Sequence, residues 1–161
     1  MADRDRDESG KARSSRPRDA LGRPLPHGSE GVPRIPEDLQ MSPSDSLTYA
    51  QELLDDGLAF NAHEVLEAAW KNAPGDDRNM WQGLAQLAVG ITHIQRGNTV
   101  GAATVLSRAA ERLADRPGAA PHGIDVDGLI THARALIDDL ERGADIAGER
   151  LRPRLGGGPA G

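Results

Sequence analysis

Phe60-Asn61-Ala62-His63-Glu64-Val65-Leu66-Glu67-Ala68-Ala69-Trp70 is answered, after a short polar turn, by Trp81-Gln82-Gly83-Leu84-Ala85-Gln86-Leu87. Apolar residues recur in both runs at three- and four-residue spacing, the signature of amphipathic helices. In the first run Phe60, His63, Leu66, Glu67 and Trp70 fall on one broad face. Ala73-Pro74-Gly75-Asp76-Asp77 breaks the pattern between the runs. From Trp81 to Ile94 the second run is nearly apolar all round, which predicts a central, deeply buried helix. Gly83 and Gly90, seven residues apart, leave notches where another helix can approach closely.

Outward from this pair the pattern stays helical. Ser42-Pro43 is a helix start, with Ser as N-cap and Pro in the first turn. Leu47, Ala50, Leu53 and Leu54 form an apolar stripe, and Gly57 suits a left-handed helix end. A second helix is expected over about 58–72 and a third over about 76–96. A fourth follows over about 99–114 and a fifth over about 125–142, closed by Gly143. Gly57-x-x-Phe60-x-Ala62-x-x-x-Leu66-x-x-Ala69 recurs forty residues later as Gly97-x-x-Val100-x-Ala102-x-x-x-Leu106-x-x-Ala109. Such a repeat is the grammar of stacked helical hairpins. The fold expected is therefore all-α: two antiparallel, weakly tetratricopeptide-like hairpins plus a closing helix.

The ends differ in composition. Residues 1–36 carry five prolines and no apolar periodicity, and are expected to be a disordered polar arm. Leu21 and Leu25 form a small apolar island that could pin the arm to the helical body. A single helical domain is expected over 37–145, and a disordered Gly/Pro/Arg tail over 146–161. Residues 37–145 carry eighteen acidic and eight basic side chains, a net −10 that repels phosphate. That charge, with only two Trp, one Tyr and one Phe, argues against nucleic-acid binding by the folded domain.

Cys is absent, so there is no thiolate metal site, thiol nucleophile or disulfide framework. No run approaches the ~18 apolar residues of a membrane span. Met1–Arg6 mixes charges with no apolar run behind it, so no secretory signal is expected. The expectation is a soluble, cytoplasmic protein with no membrane partner.

Three motifs carry a family resemblance. They are Phe60-x-Ala62-His63-Glu64-x-x-Glu67-x-x-Trp70, then Gln82-Gly83-Leu84-x-Gln86-Leu87-Ala88, then His93-x-x-Arg96-Gly97-Asn98-x-x-Gly101-Ala102. In this order and spacing they closely resemble the bacterial and archaeal family called domain of unknown function 309. The resemblance covers about residues 42–115, with an extension to 142 expected. It implies a small all-helical fold and no particular activity.

His63 and Glu67, four apart, share a helix face. His63-Glu64-x-x-Glu67 is similar to the His-Glu-x-x-His of zinc peptidases, with Glu in place of the second His. One reading makes His63 and Glu67 metal ligands, takes a third from His93, Gln82 or Gln86, and gives Glu64 the role of base. His93 lies eleven residues beyond Gln82, roughly 16 Å along a helix, so the two cannot serve one small site. The other reading is a polar cluster of His63, Glu64, Glu67, Gln82 and Gln86 walled by Trp70 and Trp81, closed by hydrogen bonds or open as a pocket. No Ser nucleophile elbow, phosphate loop or dinucleotide fingerprint occurs. The expected function is a non-enzymatic module binding a protein partner or small ligand, with no cofactor, metal or catalytic residue assigned. The alternative is a metal-dependent or small-molecule, hydrolase-like enzyme centred on His63, Glu64 and Glu67.

Overall fold

The computed structural model describes residues 5–6, 12–13, 19–23, 31, 35–36, 38–115 and 120–156. Its helices are α1 (Pro43–Asp55), α2 (Ala59–Asn72), α3 (Gly75–Gln95), α4 (Thr99–Ala114) and α5 (Val126–Glu141). The fold is all-α. Besides the helices, the described residues hold two 3-10 turns, Pro121–Gly123 and Gly148–Leu151, and a two-residue ladder pairing Asp5–Arg6 with Ala12–Arg13.

Each helix packs on its neighbours in sequence: α1 on α2, α2 on α3, α3 on α4, α4 on α5. The first three connections are two or three residues long, which obliges adjacent helices to run antiparallel. The start of α1 is as expected, with Ser42 Oγ accepting from Asp45 N–H at 3.1 Å and Pro43 in the first turn. At the end of α1, Gly57 takes φ 79° and donates to the Leu54 carbonyl, while Leu58 donates to that of Leu53. At the end of α3, Gly97 takes φ 79° and donates to Ile94, while Asn98 donates to His93. The forty-residue repeat thus has a physical meaning: the same paired-hydrogen-bond helix stop is built twice, and a positive φ at its centre asks for glycine.

α3 is the central helix, burying Trp81, Leu84, Leu87 and Ile91 to within 1% of full burial. Its glycine notches are filled from α4. A Cβ on Gly90 would lie 2.6 Å from Leu106 Cδ2, and one on Gly83 would lie 3.1 Å from Leu113 Cδ2. Both leucines are fully buried, so a side chain at Gly90 would force α4 to shift, while one at Gly83 would need only a small adjustment of Leu113.

The C-terminal segment departs from the expectation of disorder beginning at residue 146. Residues 146–156 fold back over the body as a strap. His132 Nε2 lies 2.7 Å from the Arg150 carbonyl, and Arg150 pairs with Asp139. Gln51 on α1 then grips the strap with both ends of its amide. Its Nε2 donates to the Pro153 carbonyl at 2.9 Å and its Oε1 accepts from Leu155 N–H at 2.8 Å. Asp125 N–H donates to the Leu155 carbonyl at 2.9 Å, and Ile124 bridges to Gly156. Leu155 is 1% exposed. One buried leucine and four backbone hydrogen-bonding groups satisfied in place hold a segment whose Gly-, Pro- and Arg-rich composition reads as unstructured. Asp55 and Asp139 each receive a strap arginine, Arg154 and Arg150 respectively. Residues 157–161 lie outside the described residues.

Part of the N-terminal arm also lies on the body. Ile35 is 5% exposed and joins the core, so the packed unit begins before the expected boundary at 37. The Leu21 carbonyl accepts from Arg96 Nε at 2.8 Å. The pinning expected of Leu21 is therefore made by its backbone, with the side chain half-buried. Leu25 lies outside the described residues.

Candidate functional site

α2 buries Ala59, Ala62, Val65 and Leu66 against its neighbours. With 3.6 residues per turn, His63, Glu64, Glu67 and Lys71 then fall on its flank. There they line a cleft of about 260 Å³ whose other walls are Phe60, Ala68, Ile35 and Pro36. Asn72 Nδ2 donates to the Leu39 carbonyl at 3.3 Å, tying the segment that follows Ile35–Pro36 to the end of α2.

His63 is the fixed point of the cleft. Its Nδ1 lies 2.9 Å from the Phe60 carbonyl and its Nε2 lies 3.0 Å from Glu67 Oε2. The Phe60 ring stands edge-on to it, with centroids 5.1 Å apart. A carbonyl and a carboxylate both only accept, so the ring satisfies both when it carries two protons. The hydrogen bond from His63 holds the Glu67 carboxyl below its ordinary value. Burial opposes that shift, and the charges of His63 and Lys71 reinforce it.

The remaining candidates sit elsewhere. Trp70 lies beneath the Arg78 guanidinium, 5.3 Å from carbon to ring centroid. Trp81 is 1% exposed and lies 6.3 Å from the His122 ring, in the connection between α4 and α5. Gln82 and Gln86 are half-buried and share a stripe of α3 with Val89 and His93. Among the described residues neither glutamine hydrogen-bonds to His63, Glu64 or Glu67, and Gln86 Oε1 is buried without a partner. The structure thus gathers His63, Glu64 and Glu67, and leaves Trp70, Trp81, Gln82 and Gln86 outside the cleft. His63 and Glu67 are partnered from within α2 and do not reach across to α3.

The third motif builds a turn. Asn98 caps α4 by accepting from Gly101 N–H at 3.1 Å, and its Nδ2 donates to His93 Nδ1 at 3.2 Å. A Cβ at Gly101 would lie 2.4 Å from Asn98 Nδ2, so a larger residue there would displace this side chain. His93 is therefore held as a neutral acceptor at Nδ1, and burial together with the Arg96 charge lowers its pKa. It is committed to the turn, away from the cleft. Among the described residues no group of three or more His, Asp or Glu is placed to hold a metal ion.

Phe60, Ile35, Pro36 and Lys71 complete the cleft, and sequence patterning did not single them out for it. The available signal was Phe60, the chain's one phenylalanine, standing one turn before His63.

The class is a small all-helical protein of five helices with a cleft along the second. Residues 47–105 match a family model described as "Domain of unknown function (DUF309)". The match runs from within α1 into α4 and contains all three motifs, so the resemblance read from them holds over that stretch. Over 103 residues the chain is 30% identical to the "Uncharacterized protein YpuF" of Bacillus subtilis (strain 168). That alignment spans 63% of this chain and 59% of the relative. No solved structure matches the chain significantly.

Proposed function

We propose that the chain is a non-enzymatic binding module, a tetratricopeptide-like helical scaffold whose site is the α2 cleft. The observation that carries this reading is the cleft's two-sided chemistry. Phe60, Ile35 and Pro36 offer an apolar wall, and the His63–Glu67 pair, oriented by the Phe60 carbonyl, stands beside it. A mostly polar cleft with an apolar edge suits a polar small ligand or a short partner segment. The net −10 over residues 37–145 disfavours nucleic acid as that partner. No helix among the described residues is long and apolar enough to cross a membrane. The lack of Cys fits a cytoplasmic setting.

The test is a ¹H–¹⁵N NMR screen of the full chain against a fragment library and a set of short peptides. Binding that perturbs residues 60–71 and 35–36, and disappears in Phe60→Ala, supports the proposal. Binding confined to other faces overturns it.

The alternative, a metal-dependent hydrolase-like centre, draws on one observation. His63 Nε2 and Glu67 Oε2 converge at 3.0 Å, and Nδ1 is anchored on a carbonyl in the manner of a metal-ligating histidine. Titration with Zn²⁺ while following the His63 ring resonances separates the two readings. Saturable shifts at micromolar metal favour the centre, and unshifted rings favour the module.

A further inference from the structure

The cleft is connected to the N-terminal arm by a chain of contacts that the three motifs do not explain. Asp19 organises a turn over residues 19–23, its Oδ1 accepting from the N–H groups of Leu21 and Arg23, each at 2.9 Å. Gly22 sits in this turn at φ 78°, buried against the body. A Cβ there would lie 2.2 Å from Phe60 Cδ1, 2.4 Å from Phe60 Cγ and 2.7 Å from Arg96 Nη2. Arg96 holds the same turn from beneath. Its Nε donates to the Leu21 carbonyl at 2.8 Å, while its guanidinium carbon stands 5.8 Å from the Phe60 ring centroid. Phe60 is thus capped by a glycine backbone and a guanidinium. It then contacts His63 twice, through its ring edge and its carbonyl.

We infer that Gly22 and Arg96 are positioning residues of the α2 cleft: the 19–23 turn clamps Phe60, and through Phe60 it sets the His63–Glu67 pair. The arm is then a working part of the site, delivered from the far end of the chain. At Gly22 two requirements coincide, a left-handed backbone and no room for a side chain, and only glycine meets both. The arginine's role needs its planar shape as well as its charge, since one face covers an aromatic ring while an edge N–H reaches a carbonyl. This assignment rests on reading the cleft as the site, and it adds what organises it.

The experiment follows the Glu67 side-chain carboxyl by ¹³C NMR through an acid titration of the full chain, with Gly22→Ala and Arg96→Ala beside it. Gly22→Ala is decisive because it changes no charge. The expected result is a Glu67 midpoint that rises in Gly22→Ala toward the ordinary glutamate value of about 4.3, with amide shifts of α4 and α5 unchanged. Arg96→Ala gives the same direction. A Glu67 midpoint that stays at its wild-type position in Gly22→Ala overturns the clamp. The titration uses no ligand, so a cleft that binds nothing would overturn the module reading and leave the clamp standing.

Discussion

His63 Nε2 stands 3.0 Å from Glu67 Oε2, one turn along α2, while the other nitrogen of the same ring is spent on the Phe60 carbonyl. The pair is asymmetric in exposure, 19% for the histidine side chain and 43% for the glutamate. An ion pair this open is worth at most about 1 kcal/mol. Its larger effect is on orientation, because close partners at both ring nitrogens leave the imidazole a single pose.

Glu67→Gln should therefore lower stability by no more than about 1 kcal/mol. Glu67 has a depressed folded pKa. Its contribution is present above the unfolded glutamate value of about 4.3 and is lost as pH falls through the lower folded value. Urea denaturation across pH 2.5–6 checks this. Wild type should lose its advantage over Glu67→Gln within that acid limb, and a gap that persists unchanged at the acid end would refute it.

His93 gives a second window of the same sign. Its folded pKa is lowered, so the unfolded chain binds the proton more readily. Stability should fall as pH drops below the ordinary histidine value of about 6.5, down to the folded value, and should be fully restored above it. His93→Gln should flatten this limb while leaving the Glu67 limb intact. Asn98→Ala, which removes the α4 cap as well as the His93 contact, should cost about 0.5–2 kcal/mol at neutral pH.

Gly90→Ala should destabilise by about 1–3 kcal/mol, because the new methyl would overlap the buried Leu106. Gly75→Ala meets nothing within 4 Å and should be neutral or slightly stabilising. Comparing the two by thermal denaturation isolates the α3–α4 approach from helix propensity. Equal effects would contradict the notch.

Leu155→Ala should cost about 2–5 kcal/mol, an effect out of proportion to its place in the tail. Gln51→Ala should cost about 1–3 kcal/mol by stranding Leu155 N–H and the Pro153 carbonyl. Hydrogen exchange is the direct readout. The amides of Leu155 and Asp125 should exchange faster in both variants, with those of Leu84 and Ile91 in α3 protected.

What could be read from sequence follows the range of the forces involved. The five helices, their caps and their stops are local, and Ser42-Pro43, Gly57, Gly97 and Gly143 mark them within a turn or two. The notches at Gly83 and Gly90 could be read because an apolar helix interrupted by glycine has few other uses. The shared face of His63 and Glu67 followed from their four-residue spacing, whereas Glu64, one residue round the helix from His63, could not be assigned to the cleft by spacing. The grouping with Trp70, Trp81, Gln82 and Gln86 needed the rotation of α2 against α3. That rotation is set by the buried apolar faces, and their summed packing does not show in a spacing rule. The strap over 146–156 was invisible for a similar reason: its order comes from Gln51, about a hundred residues away. The arm's contact through Leu21 O and Gly22 uses backbone, which carries no side-chain signal at all.

Val105 is the last residue of the family match, and Leu106, which fills the Gly90 notch, is the next one along. A fragment cut to residues 47–105 would bare one flank of α3, strip the strap from Gln51 and lose the Gly22 turn over Phe60. Recombinant work on this protein should keep the strap and the Gly22 turn, both of which lie outside residues 47–105.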